Sequence, residues 1–179
     1  VTPDTFFAKD LLPIIRFNRR PFRKWYLLFK TKVEGKPLRN YLQTIHNAAL
    51  LVEQKYGTYY SGKTHHNIDA YLKSNYEHTR QVFDKEISAT LTNHVRSMND
   101  IQRNIYSYVP LAEKRAHMQY VTQRTSFRFH IDNRKLYRKF EKYNPMLFCM
   151  NDSQFANDDD RKCAIDFLGG LFPDKSQFE

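Results

Sequence analysis

The side chains in this sequence that pair reactive type with suggestive placement are His65-His66, Arg96, Asn151-Asp152 and the run Asp158-Asp159-Asp160. The two imidazoles follow a Gly-containing loop at residues 58–64, where they can reach a ligand, and imidazole titrates near neutral pH, which suits proton transfer. An incidental surface pair is the plainer alternative. Arg96, between Val95 and Ser97, carries a planar fork of donors suited to phosphate oxygens, or is simply a solvated or salt-bridged arginine. Asn151-Asp152 closes the apolar run Met146-Leu147-Phe148-Cys149-Met150, and a polar pair at the end of a buried strand is where α/β sheets place ligand-binding groups. The three aspartates lack the alternate acids, central Gly and terminal Glu of an EF-hand loop, so they read as the N-terminus of a helix.

These groups need elements to position them. Pro13 to Phe17 and Trp25 to Phe29 read as two short strands joined by an Asn-Arg-Arg-Pro turn, a basic strand pair over residues 1–37. Leu38, Leu42, Ile45, Ala49 and Val52 recur at helical spacing up to Gly57, a helix stop. Val82, Phe83, Ile87 and Leu91 fit a second helix, and Met98, Ile101, Ile105 and Tyr108 a third that ends before Pro110. Phe127, Phe129 and Ile131 alternate as on a strand, a basic helix follows to about Lys142, and residues 146–150 read as a strand buried on both faces. A last helix begins at the aspartates and is stopped by Gly169-Gly170 and Pro173. The elements predict one compact unit.

Composition narrows the chemistry. The 179 residues hold 29 Lys and Arg against 19 Asp and Glu, a net +10 that favours anionic partners such as phosphate esters, nucleic acid or an acidic membrane surface. Residues 1–40 alone carry ten basic against three acidic side chains. Five glycines and no G-x-G-x-x-G or G-x-x-x-x-G-K-[ST] run argue against dinucleotide or P-loop sites. Cys149 and Cys163 form neither a disulfide framework nor a zinc-ligand series, which predicts a reducing compartment. No apolar run approaches the roughly 20 residues of a spanning helix. The first residue is Val, with no basic-then-apolar leader, so the sequence reads as a piece of something longer. Tyr59, Tyr60, Tyr106 and Tyr108 could stack bases beside the basic patches, though helical spacing makes packing the commoner use.

Two ordered blocks give these residues a common context. The first is His66-Asn67-Ile68-Asp69, followed thirty residues after His66 by Arg96 within Val95-Arg96-Ser97-Met98-Asn99-Asp100-Ile101-Gln102. The second is Phe148-Cys149-Met150-Asn151-Asp152, then Phe172-Pro173-Asp174-Lys175-Ser176-Gln177-Phe178-Glu179. In sequence and spacing these resemble the third and fourth blocks of the Stealth family, which includes bacterial capsular-polysaccharide phosphotransferases and the catalytic subunit of the animal lysosomal-enzyme GlcNAc-1-phosphotransferase. The resemblance covers residues 38–179, with Lys55-Tyr56-Gly57 as the lead-in. The calcium-binding insert of the animal enzyme is missing, which points to the shorter bacterial type. The family's two earlier blocks, the second ending in an Asp-Asp pair, are expected upstream of Val1. Val1 to Phe7 either follows that pair or includes its second member as Asp4.

The resemblance implies an α/β fold: the helix-rich C-terminal portion of a Rossmann-like (GT-A-like) nucleotide-sugar transferase domain. It implies transfer of a sugar-1-phosphate from a UDP-sugar to a glycan hydroxyl, with release of UMP, in capsular or cell-surface polysaccharide synthesis. His66 would act near the transferred phosphate as base or hydrogen-bond donor, and Arg96 would clamp the diphosphate. Asp100 would orient Arg96 or His66, and Asn151 and Asp152 would hold the donor sugar or a divalent cation, Mg2+ (or Mn2+), with Asp152 as the metal ligand. The expected setting is the cytoplasm, at the inner face of the bacterial membrane, where the basic residues 1–40 would bind an anionic polymer or the membrane surface unless they are only a solvated face. The reading from another class is a basic nucleic-acid-binding or non-catalytic interaction module, which the charge and tyrosines favour but no recognition motif supports.

Overall fold

A computed structural model of the chain describes residues 7–18, 23–35, 39–65, 70–121, 129–145 and 148–174. The expectations placed on Asp4, His66, Asp69, Phe127, Met146 and Leu147 lie outside these residues. The protein is mixed α/β and forms two compact units, Val1–Thr122 and Gln123–Glu179.

In the first unit the central strand is β1, Ile14–Asn18, whose alternation buries Ile15 and Phe17 to 1% exposure each. Complete burial of such side chains is worth about 1.5–3 kcal/mol apiece. β1 pairs antiparallel with β2, Lys63–Thr64, and parallel with β3, His117–Tyr120. Both edges of β1 are therefore occupied, and the hairpin expected with Trp25 to Phe29 does not form. That segment is helical: α1, Arg23–Leu28, runs into a π-helical turn, Phe29–Val33. A strand would put residues 25, 27 and 29 on one face, whereas only Leu27 of the three is buried here.

Helix α2, Asn40–Tyr56, follows the expected periodicity and ends where predicted, with Gly57 in the left-handed region at φ 73° and its N–H bonded to the Glu53 carbonyl. Its buried side chains include Thr44 and Ile45, and Ala48, Ala49 and Val52 join Ile105, Tyr108 and Val109 in the core. The second expected helix is preceded by one the periodicity did not reveal, so that α3, Lys73–Val82, abuts α4, Asp84–Leu91. The third is shorter than expected: residues 92–104 are turns, and α5 covers Ile105–Ala112 with Pro110 inside its last turn. Asp100 Oδ2 accepts from Ser97 N and Ser97 Oγ accepts from Asn99 N there, side-chain bonds in place of helical ones. Glu113, just past α5, accepts from the Tyr56 hydroxyl at 2.7 Å and lies 2.8 Å from Nε2 of His78, linking α2, α3 and α5. The tyrosines pack: Tyr108 stacks on Phe17 and Tyr60, and Tyr106 on Tyr76 with centroids 4.3 Å apart.

In the second unit β4, Phe129–His130, pairs parallel with β5, Met150–Asn151. Helix α6, Lys135–Tyr143, is the expected basic helix and ends at Asn144 with φ 44°. The strand expected to be buried on both faces is not, because Phe148 and Cys149 are exposed and only Met150 and Asn151 pair. Helix α7, Asp158–Leu171, begins in a capping box: Asn157 accepts from Asp160 N, and the Asp160 carboxylate accepts from Asn157 N. It runs through Gly169-Gly170 and stops at Phe172, the residue before Pro173, which proline disfavours in the helical region. Among the described residues no helix is long and apolar enough to cross a membrane.

Candidate functional site

Arg96 sits on the 92–104 loop, and that loop is fastened by side chains rather than by helical hydrogen bonds. Asp100 is buried to 6% exposure and accepts from Ser97 N at 2.7 Å and from Asn93 Nδ2 at 2.6 Å. From beneath, α2 supplies a matching face. Asn40 donates to the Arg96 carbonyl at 3.2 Å, the Thr44 carbonyl accepts from Gln102 N at 3.0 Å, and Asn47 donates to the carbonyls of Met98 and Asp100 at 2.8 and 2.9 Å. Residues 40, 44 and 47 are spaced to share one side of a helix, so a single stripe of α2 carries the loop. The pairing of Arg96 with Asp100 thus takes a definite form: the carboxylate folds the turn that bears Arg96 and touches its backbone neighbours.

The Arg96 guanidinium lies 5.2 Å from the centre of the Tyr41 ring. Lys63 comes to the same ring, with its ammonium 5.1 Å from the centre and 3.5 Å from the hydroxyl. Each cation is thus within cation–π reach of the same ring, which gathers two positive charges in this region. Neither Tyr41 nor Lys63 was singled out by sequence. Lys63 stands three residues before His66 and was legible as part of the same loop; Tyr41 gave no signal, because its role depends on contacts far along the chain.

The strand that carries Lys63 is held by hydrogen bonds on several sides. The Tyr108 hydroxyl donates to the Gly62 carbonyl at 2.7 Å, Asn104 Nδ2 donates to Thr64 Oγ1 at 3.0 Å, and His65 N donates to the Arg16 carbonyl at 2.8 Å. Gly62 is required by space, since a Cβ there would stand 2.7 Å from Phe17 Cδ1 and 3.1 Å from the Asn18 carbonyl oxygen. His66 follows this fixed segment and lies outside the described residues.

Asn151 and Asp152 belong to the second unit, at the end of β5. Asn151 Nδ2 donates to the Phe129 carbonyl at 3.1 Å, so its amide is used partly in the sheet. Asp152 faces Arg161 of α7 through Nε at 3.2 Å and Nη2 at 3.4 Å, and it accepts from Ser153 N at 2.8 Å. The Arg161 hydrogen bond, then that of Ser153, holds the Asp152 carboxyl below its ordinary value. Both oxygens of this exposed carboxylate face an arginine, so Mg2+ at Asp152 would take the place that Arg161 holds here. Among the described residues no three His, Cys, Asp or Glu side chains gather as a ligand set.

With this geometry in view, the chain was compared with known proteins. No family model matches it, and no curated protein does. The weight therefore falls on the residues themselves: a clamped arginine and a second cation on one ring in the first unit, and an asparagine and an arginine-paired aspartate at a parallel strand end in the second.

Proposed function

We propose that this chain is the C-terminal part of a Stealth-type phosphotransferase domain, which moves a sugar-1-phosphate from a UDP-sugar to a sugar hydroxyl. The acceptor oxygen attacks the phosphorus next to the donor sugar and the bridging P–O bond breaks. UMP leaves, and the hydroxyl proton passes to a base, the role the family resemblance gives to His66. Such a step asks the protein mainly for positioning and for cations around the diphosphate. In the first unit Arg96 and Lys63 supply that charge and Asp100 positions the turn bearing Arg96; in the second unit, Asn151 has only the donor-sugar role that the resemblance gives it. Asp152 orders the strand end through Arg161.

The single observation that carries this reading is the convergence of Arg96 and Lys63 on Tyr41, on a loop fastened by Asp100. Arg96 belongs to the sequence block that the resemblance assigns to the diphosphate, and Lys63 stands three residues before that block begins at His66. The Rossmann-like, GT-A-like architecture belongs to the same proposal and is supported by the parallel pairing of β1 with β3 and of β4 with β5. So does the setting, capsular polysaccharide synthesis at the cytoplasmic face of a bacterial membrane.

The test is calorimetric titration of the chain with UDP-GlcNAc. Binding should weaken about tenfold or more in Arg96→Ala and in Lys63→Ala, since each removes a charge-assisted contact to phosphate. Binding unchanged in both variants would overturn the assignment, as would a preference for DNA over the nucleotide sugar.

A further inference from the structure

The helix that replaces the expected second strand faces two ways. Leu27 is buried at 1% exposure, while Trp25, Phe29 and Val33 are exposed at 73%, 50% and 70%. Their spacing of four and four residues keeps them on one stripe, because the change from α to the wider π turn at Phe29 offsets the drift of an α-helix. Tyr26, 54% exposed, lies beside the stripe with the Lys30 ammonium 5.8 Å from its ring centre. The segment is anchored to the rest of the unit on its other side, by Leu27 in the interior and by the ion pair of Lys24 with Glu53 of α2. An exposed row of Trp, Phe and Val on an anchored helix is an apolar surface with no partner among the described residues.

Charge selects the occupant. Residues 19–36 hold Arg19, Arg20, Arg23, Lys24, Lys30, Lys32 and Lys36, with Glu34 as the one acid. Lys30 pairs with Glu34 at 3.2 Å, and Lys32 is exposed on the same helical stretch. Protein-binding apolar faces favour depletion of lysine, whereas helices that lie in a lipid interface combine Trp and Phe with flanking Lys and Arg. Tryptophan and tyrosine prefer the headgroup level, and basic residues add attraction to anionic lipid. We propose that the Trp25-Phe29-Val33 face is a membrane-docking surface that takes an anionic lipid bilayer, with Trp25 and Phe29 at headgroup depth and Lys32 on the phosphates. This goes beyond the transferase reading and does not depend on it.

Trp25 is the sole tryptophan of the chain, so its fluorescence reports on this surface alone. The 179-residue chain is titrated with phosphatidylcholine vesicles with and without phosphatidylglycerol, reading Trp25 emission and co-sedimentation. The expected result is a blue shift and binding with the anionic vesicles, weakened by salt. Phe29→Ser with Trp25 retained should lower vesicle affinity about tenfold or more, and Lys32→Gln about fivefold; both side chains are exposed enough that the far-ultraviolet spectrum should not change. Four results would overturn the proposal: no binding to either vesicle, binding without a shift in Trp25 emission, a shift that tracks protein concentration without lipid and so reports self-association, or binding unaltered by Phe29→Ser. Equal affinity for heparin, again without a shift, would assign the charge to a polyanion.

Discussion

Replacing Asp100 with alanine should release the turn that carries Arg96 while leaving the loop attached to α2. The carboxylate makes two side-chain contacts, to Ser97 N and to Asn93 Nδ2. Asn93 is exposed and regains water when the bond is lost, so it contributes little to the change. Ser97 N is a backbone donor facing a charged acceptor, a bond worth about 1.5–3 kcal/mol. The contacts from Asn40 and Asn47 go to backbone carbonyls and survive the substitution. The expected loss is therefore local and about 2 kcal/mol, which corresponds to roughly 30-fold faster hydrogen exchange at the Ser97 amide. Exchange measured by NMR or mass spectrometry reads this directly, and UDP-GlcNAc binding should fall in parallel. Asp100→Asn keeps the shape and one acceptor oxygen, so it should recover part of both effects. If Ser97 exchange stays within about threefold of the parent in Asp100→Ala, where 0.7 kcal/mol is roughly that factor, Asp100 is not what holds the turn.

Three further outcomes follow from the packing. Gly62→Ala forces a Cβ against buried Phe17 and the Asn18 carbonyl, and should cost about 1–3 kcal/mol in chemical denaturation; a neutral result would mean the strand can shift. Asn157→Ala removes one half of the α7 capping box and should cost about 1 kcal/mol, while Asn157→Asp should be nearly neutral, both read by thermal unfolding. Burial tends to raise the Glu113 carboxyl, but the hydrogen bonds from His78 and Tyr56 outweigh it and hold the group below its ordinary 4.5. The stability it contributes is thus complete above pH 4.5 and is lost as pH falls through the lower folded value, because there the unfolded chain binds more protons. Glu113→Gln should flatten that acid limb, and equal slopes in parent and variant would refute the assignment.

Legibility in the sequence followed physical locality. α2 was readable because Leu42, Ile45, Ala49 and Val52 mark one face and Gly57 supplies the left-handed end. The start of α7 was readable because acids beside an asparagine suit a helix N-terminus. Trp25 to Phe29 was misread because a five-residue apolar run satisfies either period, and what decided it was the occupation of both edges of β1. Residues 92–104 kept helical spacing of apolar groups, yet Asp100 captured the turn. Arg96 and Asp100 were found through block spacing. Tyr41 was not, since 55 residues separate it from Arg96 and only the folded chain brings them together. Lys63 lay in plain view beside the histidines, but nothing local tied it to Arg96.

The measurement closest to the central claim is the identity of the nucleotide released when the chain, extended by the upstream blocks that the resemblance expects, is incubated with UDP-GlcNAc and a glycan acceptor, followed by 31P NMR. Phosphotransfer predicts UMP together with an equal amount of a new sugar phosphodiester, both suppressed in Arg96→Ala. Release of UDP would mean that the glycosidic bond breaks instead, and release of neither nucleotide would contradict the transferase account.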